Sequence, residues 1–188
     1  MECESNGNQR LNCYALVTYI PDPLGKFLDD LRKELVPGSN PHAHVTLMPP
    51  RPLQSEQLAW EQIVEYTANL PAFDLQIGQI AVFPKTNVIY LEIGVGRDQL
   101  LEIHDGMNRE ALLFNEPFPY HPHITLAQEL SAPEVPAAAE IARQRWAEFR
   151  SDRWFAVDHL AFVQNSVCNI WTDLGTVQLV RQPVPVRR

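Results

Sequence analysis

Apolar and polar positions alternate along this chain in two different periods, and the period changes mark its elements. "NCYALVTYI" (12–20) mixes aromatic and β-branched residues and predicts a strand. Asp22 and Pro23 follow as N-cap and first-turn proline. Leu24, Phe27, Leu28, Leu31 and Leu35 then recur at helical spacing until Pro37-Gly38 stops the run. "HVTLM" (44–48) predicts the next strand. A helix is expected from Ser55 to Leu70, with Leu58, Ile63, Tyr66, Thr67 and Leu70 along one side. "FDLQIGQIAVF" (73–83) and "NVIYLEIGV" (87–95) read as two strands joined by a turn at Pro84-Lys85-Thr86-Asn87. Beyond them come a helix over Arg97–Leu113, the "NEPFPY" loop, the strand "HITLA" (123–127) and a helix over Pro133–Arg150. The end is β: "WFAVDHLAFVQ" (154–164), a turn near Asn165-Ser166, "VCNIW" (167–171) and "GTVQLV" (175–180).

The order strand, helix, strand, helix thus occurs twice, with the same short motif on the third element each time. That repeat predicts an α+β fold of two related lobes. Each lobe holds an antiparallel sheet with helices, and a groove lies between them. No long linker divides the chain, so residues 11–181 are expected to form one domain, with loose tails at 1–10 and 182–188. At 188 residues and 45% hydrophobic content, one well-buried domain is within reach.

Charge narrows the partners. A formal net charge of −8 opposes long duplex nucleic acid, whose affinity rests on neutralising many phosphates. A nucleic-acid substrate should therefore be short or held by one end. Cys3, Cys13 and Cys168 are odd in number and lack a C-x-x-C spacing, which points to reduced thiols. The polar start lacks the apolar core of a secretory signal, and no apolar stretch approaches the ~20 residues that span a bilayer. A soluble cytoplasmic monomer, away from membranes, is expected.

The chemistry lies in the repeat. "PHAHVTLMPP" (41–50) and "YHPHITLAQ" (120–128) both carry His-x-Thr in strand context, with a second His two residues upstream. At this composition roughly 0.2 such triplets are expected by chance. Residues two apart on a strand share a face about 7 Å apart, so His44 points with Thr46 and His123 with Thr125. Two such faces meeting across a wet groove avoid burying unpaired imidazoles and hydroxyls. The set suits attack on a phosphodiester. One imidazole removes a proton from the nucleophile and the other protonates the departing oxygen. The hydroxyls donate to the non-bridging oxygens as charge grows there.

"HVTL" and "HITL" resemble the paired H-x-T-x motifs of the two-histidine phosphoesterase superfamily, which includes 2′-5′ RNA ligase-like proteins and 2′,3′-cyclic phosphodiesterases. The likeness extends from about residue 11 to 180, through an opening strand and helix like "LNCYALVTYIPDPLGKFLDDLRKEL". It implies a bilobal fold with His44 and His123 as the catalytic pair and Thr46 and Thr125 as phosphate-binding hydroxyls. It implies no cofactor and no metal, and a small nucleotide or RNA end as substrate. It also places an aromatic of the first strand, here Tyr14, near the substrate base. A basic residue commonly follows the second motif in that family, where this chain has Gln128.

His42, His121, Tyr14 and Tyr120 are candidate groove-lining residues, with rim and packing roles as the plainer reading. Arg51 and Lys85 could attract phosphate, although isolated surface cations are common. Two rival functions remain open. "HAH" and "HPH" place paired imidazoles as transition-metal ligands would be placed, though the threonines then have no task. A non-catalytic nucleotide- or RNA-end-binding module would need neither acid nor base.

Overall fold

The computed structural model describes residues 9–39 and 42–181. The predicted tails lie outside the described residues, except that Arg10 already stands in the first strand and the Gln9 carbonyl accepts from the Val167 amide at 3.0 Å. In chain order the elements are β1 (Arg10–Tyr19), α1 (Leu24–Leu35), β2 (His44–Arg51), α2 (Glu56–Thr67), β3 (Phe73–Val82) and β4 (Ile89–Ile93). They continue with α3 (Arg97–Met107), a 3-10 turn (Glu110–Leu112), β5 (His123–Ala127), α4 (Val135–Glu148), β6 (Trp154–Val157), β7 (His159–Ser166) and β8 (Trp171–Gln178).

Two antiparallel four-stranded sheets have the orders β2-β1-β7-β8 and β5-β4-β3-β6. This is the expected bilobal α+β fold, and each motif strand is the outermost strand of its own sheet. The helices cross over. α1, which links β1 to β2, packs on β5 and α4 of the other lobe, while α3 packs on β2 and α2. Leu28, Val45, Leu47, Ile63, Leu75, Leu91, Leu100, Met107 and Ile124 are fully buried in one core that runs through both lobes. Apolar burial contributes about 25 cal/mol per Å², so a core shared through the crossing helices favours the two lobes staying together. Among the described residues no helix is long and apolar enough to cross a membrane.

Ser55 caps α2, whereas at α1 the N-cap falls on Pro23, one residue later than predicted, and Asp22 binds the first turn from outside it. The Lys26 amide donates to Asp22 Oδ1 at 2.9 Å, and the Leu58 amide donates to Ser55 Oγ at 3.2 Å. Four other predicted details are corrected. Leu58 is exposed, because the inner side of α2 is Ala59, Ile63 and Thr67. The helix predicted to Leu113 ends at Met107, where the Asn108 side chain binds the Phe114 amide and carbonyl instead of continuing the helix. The run 154–164 is two strands of different sheets, broken at Asp158, so that the chain passes there from one lobe to the other. "VCNIW" is mostly turn: Asn169 takes a left-handed φ of 55° and its amide donates to the Ser166 carbonyl at 2.9 Å. The thiols differ too. Cys13 is free, Cys168 is disulfide-bonded, and Cys3 lies outside the described residues. An odd count guarantees one unpaired thiol and no more.

Candidate active site

Strand alternation divides each motif between core and groove. Val45 and Leu47 are fully buried, as are Ile124 and Leu126, while His44, Thr46, His123 and Thr125 are half-buried on the opposite faces. The edge strands β2 and β5 adjoin across the seam between the sheets. The four predicted residues therefore come together, and the charge of His123 is felt at His44.

The two imidazoles are held in the same way. Nδ1 of His44 lies 2.6 Å from the His42 carbonyl, and Nδ1 of His123 lies 2.6 Å from the His121 carbonyl. A carbonyl only accepts, so each Nδ1 carries the proton. In the neutral ring this leaves Nε2 as a free lone pair, turned away from its own strand. Burial pushes His44 down to about 4, helped by the positive charges of Arg32, His42 and His123 and opposed by the His42 carbonyl. Burial likewise lowers His123, with His121 adding to the effect and the His121 carbonyl opposing it. The threonine hydroxyls bond no other described residue, so they are free to donate.

The upstream histidines hold the motif rings through their backbone carbonyls, and their own rings lie against aromatics. The His42 ring is exposed and stacks on Tyr19 at 3.9 Å and 11°. The His121 ring meets Phe83 edge-on at 5.1 Å and Tyr90 at 5.5 Å. The same two aromatics, themselves stacked at 3.9 Å, present faces or edges to His123 at 5.1 and 5.4 Å. Among the described residues no three His, Cys, Asp or Glu side chains converge as a metal site would require.

Strand register names neighbours that the sequence reading missed. Tyr19 lies beside His44 and Val17 beside Thr46; Glu92 lies beside His123 and Tyr90 beside Thr125. The two sides of the near-symmetric groove differ in charge: Tyr19 and the Arg32 cation lie near His44, whereas Glu92 and the Phe83–Tyr90 pair lie near His123. The Tyr19 hydroxyl donates to Asp173 Oδ1 at 2.6 Å. Its ring shares one side of the sheet with the small residues Ala15, Val17, Ala161 and Val163. Arg32, from the crossing helix α1, supplies a cation near His44.

Three candidates are relocated. Tyr14 belongs to the core face, stacked on Phe162 at 5.5 Å, donating to Glu56 at 3.1 Å and accepting from Gln164 at 2.8 Å. It is an odd number of strand positions from Tyr19 and so cannot share its face. Tyr120 braces the groove rather than lining it, since its hydroxyl donates to the Thr46 carbonyl at 2.7 Å. Arg51 is 2% exposed and paired with Glu116, out of reach of a phosphate in the groove. Lys85 is exposed on the hairpin turn.

Comparison with known proteins bears on the family and the fold. A family model described as the 2′-5′ RNA ligase superfamily matches residues 20–167. "Putative phosphoesterase BH1439" of Halalkalibacterium halodurans is 23% identical over 165 residues, covering 84% of this chain and 94% of its own. Crystalline LigT of E. coli with 3′-AMP superposes with a TM-score of 0.63 at 18% identity, over 91% of this chain and 98% of that one. LigT has also been crystallised with NADP+ and with ATP. TT0787 of Thermus thermophilus gives a TM-score of 0.62 at 17% identity, over 89% and 97% of the two chains. At these identities the structural likeness concerns the fold.

Proposed function

This chain belongs to the 2′-5′ RNA ligase superfamily of phosphoesterases, and from that premise we propose that it opens a cyclic phosphodiester by metal-independent acid–base catalysis. The substrate class is a 2′,3′-cyclic phosphate on a mononucleotide or an RNA end; the reverse reaction would form a 2′-5′ linkage. The observation that carries the reading is the matched pair of imidazoles, each locked through Nδ1 to a carbonyl of its own strand. That arrangement leaves two Nε2 atoms for proton transfer on either side of a phosphate.

The two rings are not equivalent. Burial and the positive charge of Arg32 push His44 down to about 4, whereas His123 has the carboxylate of Glu92 as its cross-strand neighbour, with its charge felt at the adjoining His121. His44 is therefore assigned the base and His123 the acid in the hydrolytic direction. His44 Nε2 takes a proton from water as its oxygen bonds to phosphorus. His123 Nε2 gives a proton to the ribose oxygen whose bond to phosphorus breaks. One P–O bond forms, one breaks, and solvent returns the proton between the rings. The Thr46 and Thr125 hydroxyls donate to the non-bridging oxygens, where charge accumulates. The Tyr19–His42 stack offers a ring face to the base, the place first assigned to Tyr14. Nucleotides in LigT crystals support a ligand of this size.

A pH profile follows from the sign of the shifts. In the free protein burial holds His44 near 4 and His123 below its ordinary 6.5. The base works above the lower value and the acid below the higher one. The bell in kcat/KM should therefore peak between about pH 4 and 6.5 and fall roughly tenfold per unit above it. The limbs belong to the coupled pair. A bound phosphate favours imidazolium, so the bell in kcat should lie at higher pH. Coincident profiles peaking above pH 7 would contradict the assignment.

Chelation tests the metal-free reading. Exhaustive EDTA or phenanthroline treatment should leave the rate on 2′,3′-cyclic nucleotides unchanged, and His42→Ala and His121→Ala should lose only a few-fold. Loss of activity restored by zinc, with those two variants as damaged as changes at His44 and His123, would establish a metal hydrolase instead. Nucleotide binding without turnover would leave a binding module.

A further inference from the structure

β2 is an edge strand, so one row of its carbonyls lacks a strand partner. The Thr46 carbonyl is taken by the Tyr120 hydroxyl at 2.7 Å. Tyr120 stands three residues before His123, so this one hydrogen bond joins the two motif segments across the lobes. The Tyr120 ring stacks on the His104 imidazole at 4.0 Å and 11°. His104 is 5% exposed, and its Nε2 donates to Glu116 Oε1 at 2.9 Å. The same oxygen accepts from Nη2 of Arg51. Arg51, the last residue of β2, also donates to Asn108 Oδ1 at 2.9 Å, the Leu112 carbonyl at 2.8 Å and the Pro49 carbonyl at 3.0 Å. The contacts leave β2 at Thr46 and return to it at Arg51.

A buried ion pair of this kind contributes little net stability, since well-packed apolar residues often do as well. Its worth lies in geometry. We propose that Tyr120 is a positioning residue for the reaction: backed by His104, Glu116 and Arg51, its hydroxyl sets the motif strand of one lobe at a fixed distance from that of the other. Thr46 is the point so held, and its hydroxyl is the donor assigned to the phosphate. A misplacement of about 1 Å at a reacting centre can cost 10²-fold in rate, so a device that fixes the gap acts on kcat more than on binding.

The inference rests on the reading of the groove above, and its test separates the two. Tyr120→Phe keeps the ring on His104 and removes only the hydroxyl. It should lower kcat by about 10- to 100-fold and change KM less than about threefold. Backbone amides of β2 should exchange faster with solvent, while those of the central strands β7 and β3 keep their wild-type rates. Tyr120→Leu should show at least the same kcat loss with lower thermal stability. Wild-type kcat and wild-type β2 exchange in the Phe variant would overturn the proposal, as would equal acceleration at all amides, which marks stability alone. Activity lost only in the Leu variant would assign the role to packing and sink it too. If the wild type turns over no cyclic diester, the functional reading fails, and β2 exchange still decides for or against the strut.

Discussion

Alanine at His44 or at His123 should each lower turnover of a 2′,3′-cyclic phosphodiester by ~10²–10⁴-fold, the range for loss of one acid–base group. Both rings are half-buried on groove faces, outside the main core, so the variants should fold and melt near the wild type. The double variant should lose much less than the product of the single effects, because groups that act on one transition state fail together. The residual pH profiles separate the roles. His44→Ala should lose the acid limb of the bell, since no base remains to be protonated. His123→Ala should lose the alkaline limb. Strictly multiplicative losses, or the same residual profile from both variants, would show that the rings do not work as one pair.

Thr46→Val and Thr125→Val should follow at about 10- to 150-fold each, from the ~1.5–3 kcal/mol that a hydrogen bond to a charged group contributes. Valine keeps the branched shape that a strand position accepts and removes only the donor. The backbone carbonyl of Thr46, which receives Tyr120, is untouched by this change. Serine at either position should retain most activity. The two effects should be similar in size, because the hydroxyls approach the phosphate from matching strands. Wild-type turnover in both valine variants would mean that the phosphate sits elsewhere.

Alternation was enough to reveal the motif faces, because it depends only on residue spacing within one strand. Val45 and Leu47 pointing one way and His44 and Thr46 the other is a local property, and the repeat at 123–126 doubled the signal. Register between strands is not local. Tyr19 meets His44 only because β1 and β2 pair after a helical excursion, and nothing in "NCYALVTYI" says which of its aromatics faces the groove. Glu92 and Tyr90 were hidden for the same reason. Arg51 read as a surface cation because its partner Glu116 lies 65 residues away and across the lobes. The break at Asp158 falls inside an apolar run whose two halves serve different sheets, which periodicity cannot divide.

The central claim is that these two motifs form one phosphodiesterase site without a metal. It is tested most directly by following a 2′,3′-cyclic nucleotide by phosphorus NMR with chelator-treated protein. The wild type should convert the cyclic resonance over many turnovers into that of one monoester, and the His44→Ala/His123→Ala variant should leave it standing. A cyclic resonance that persists with the folded wild type, or disappears equally fast with the double variant, would contradict the account.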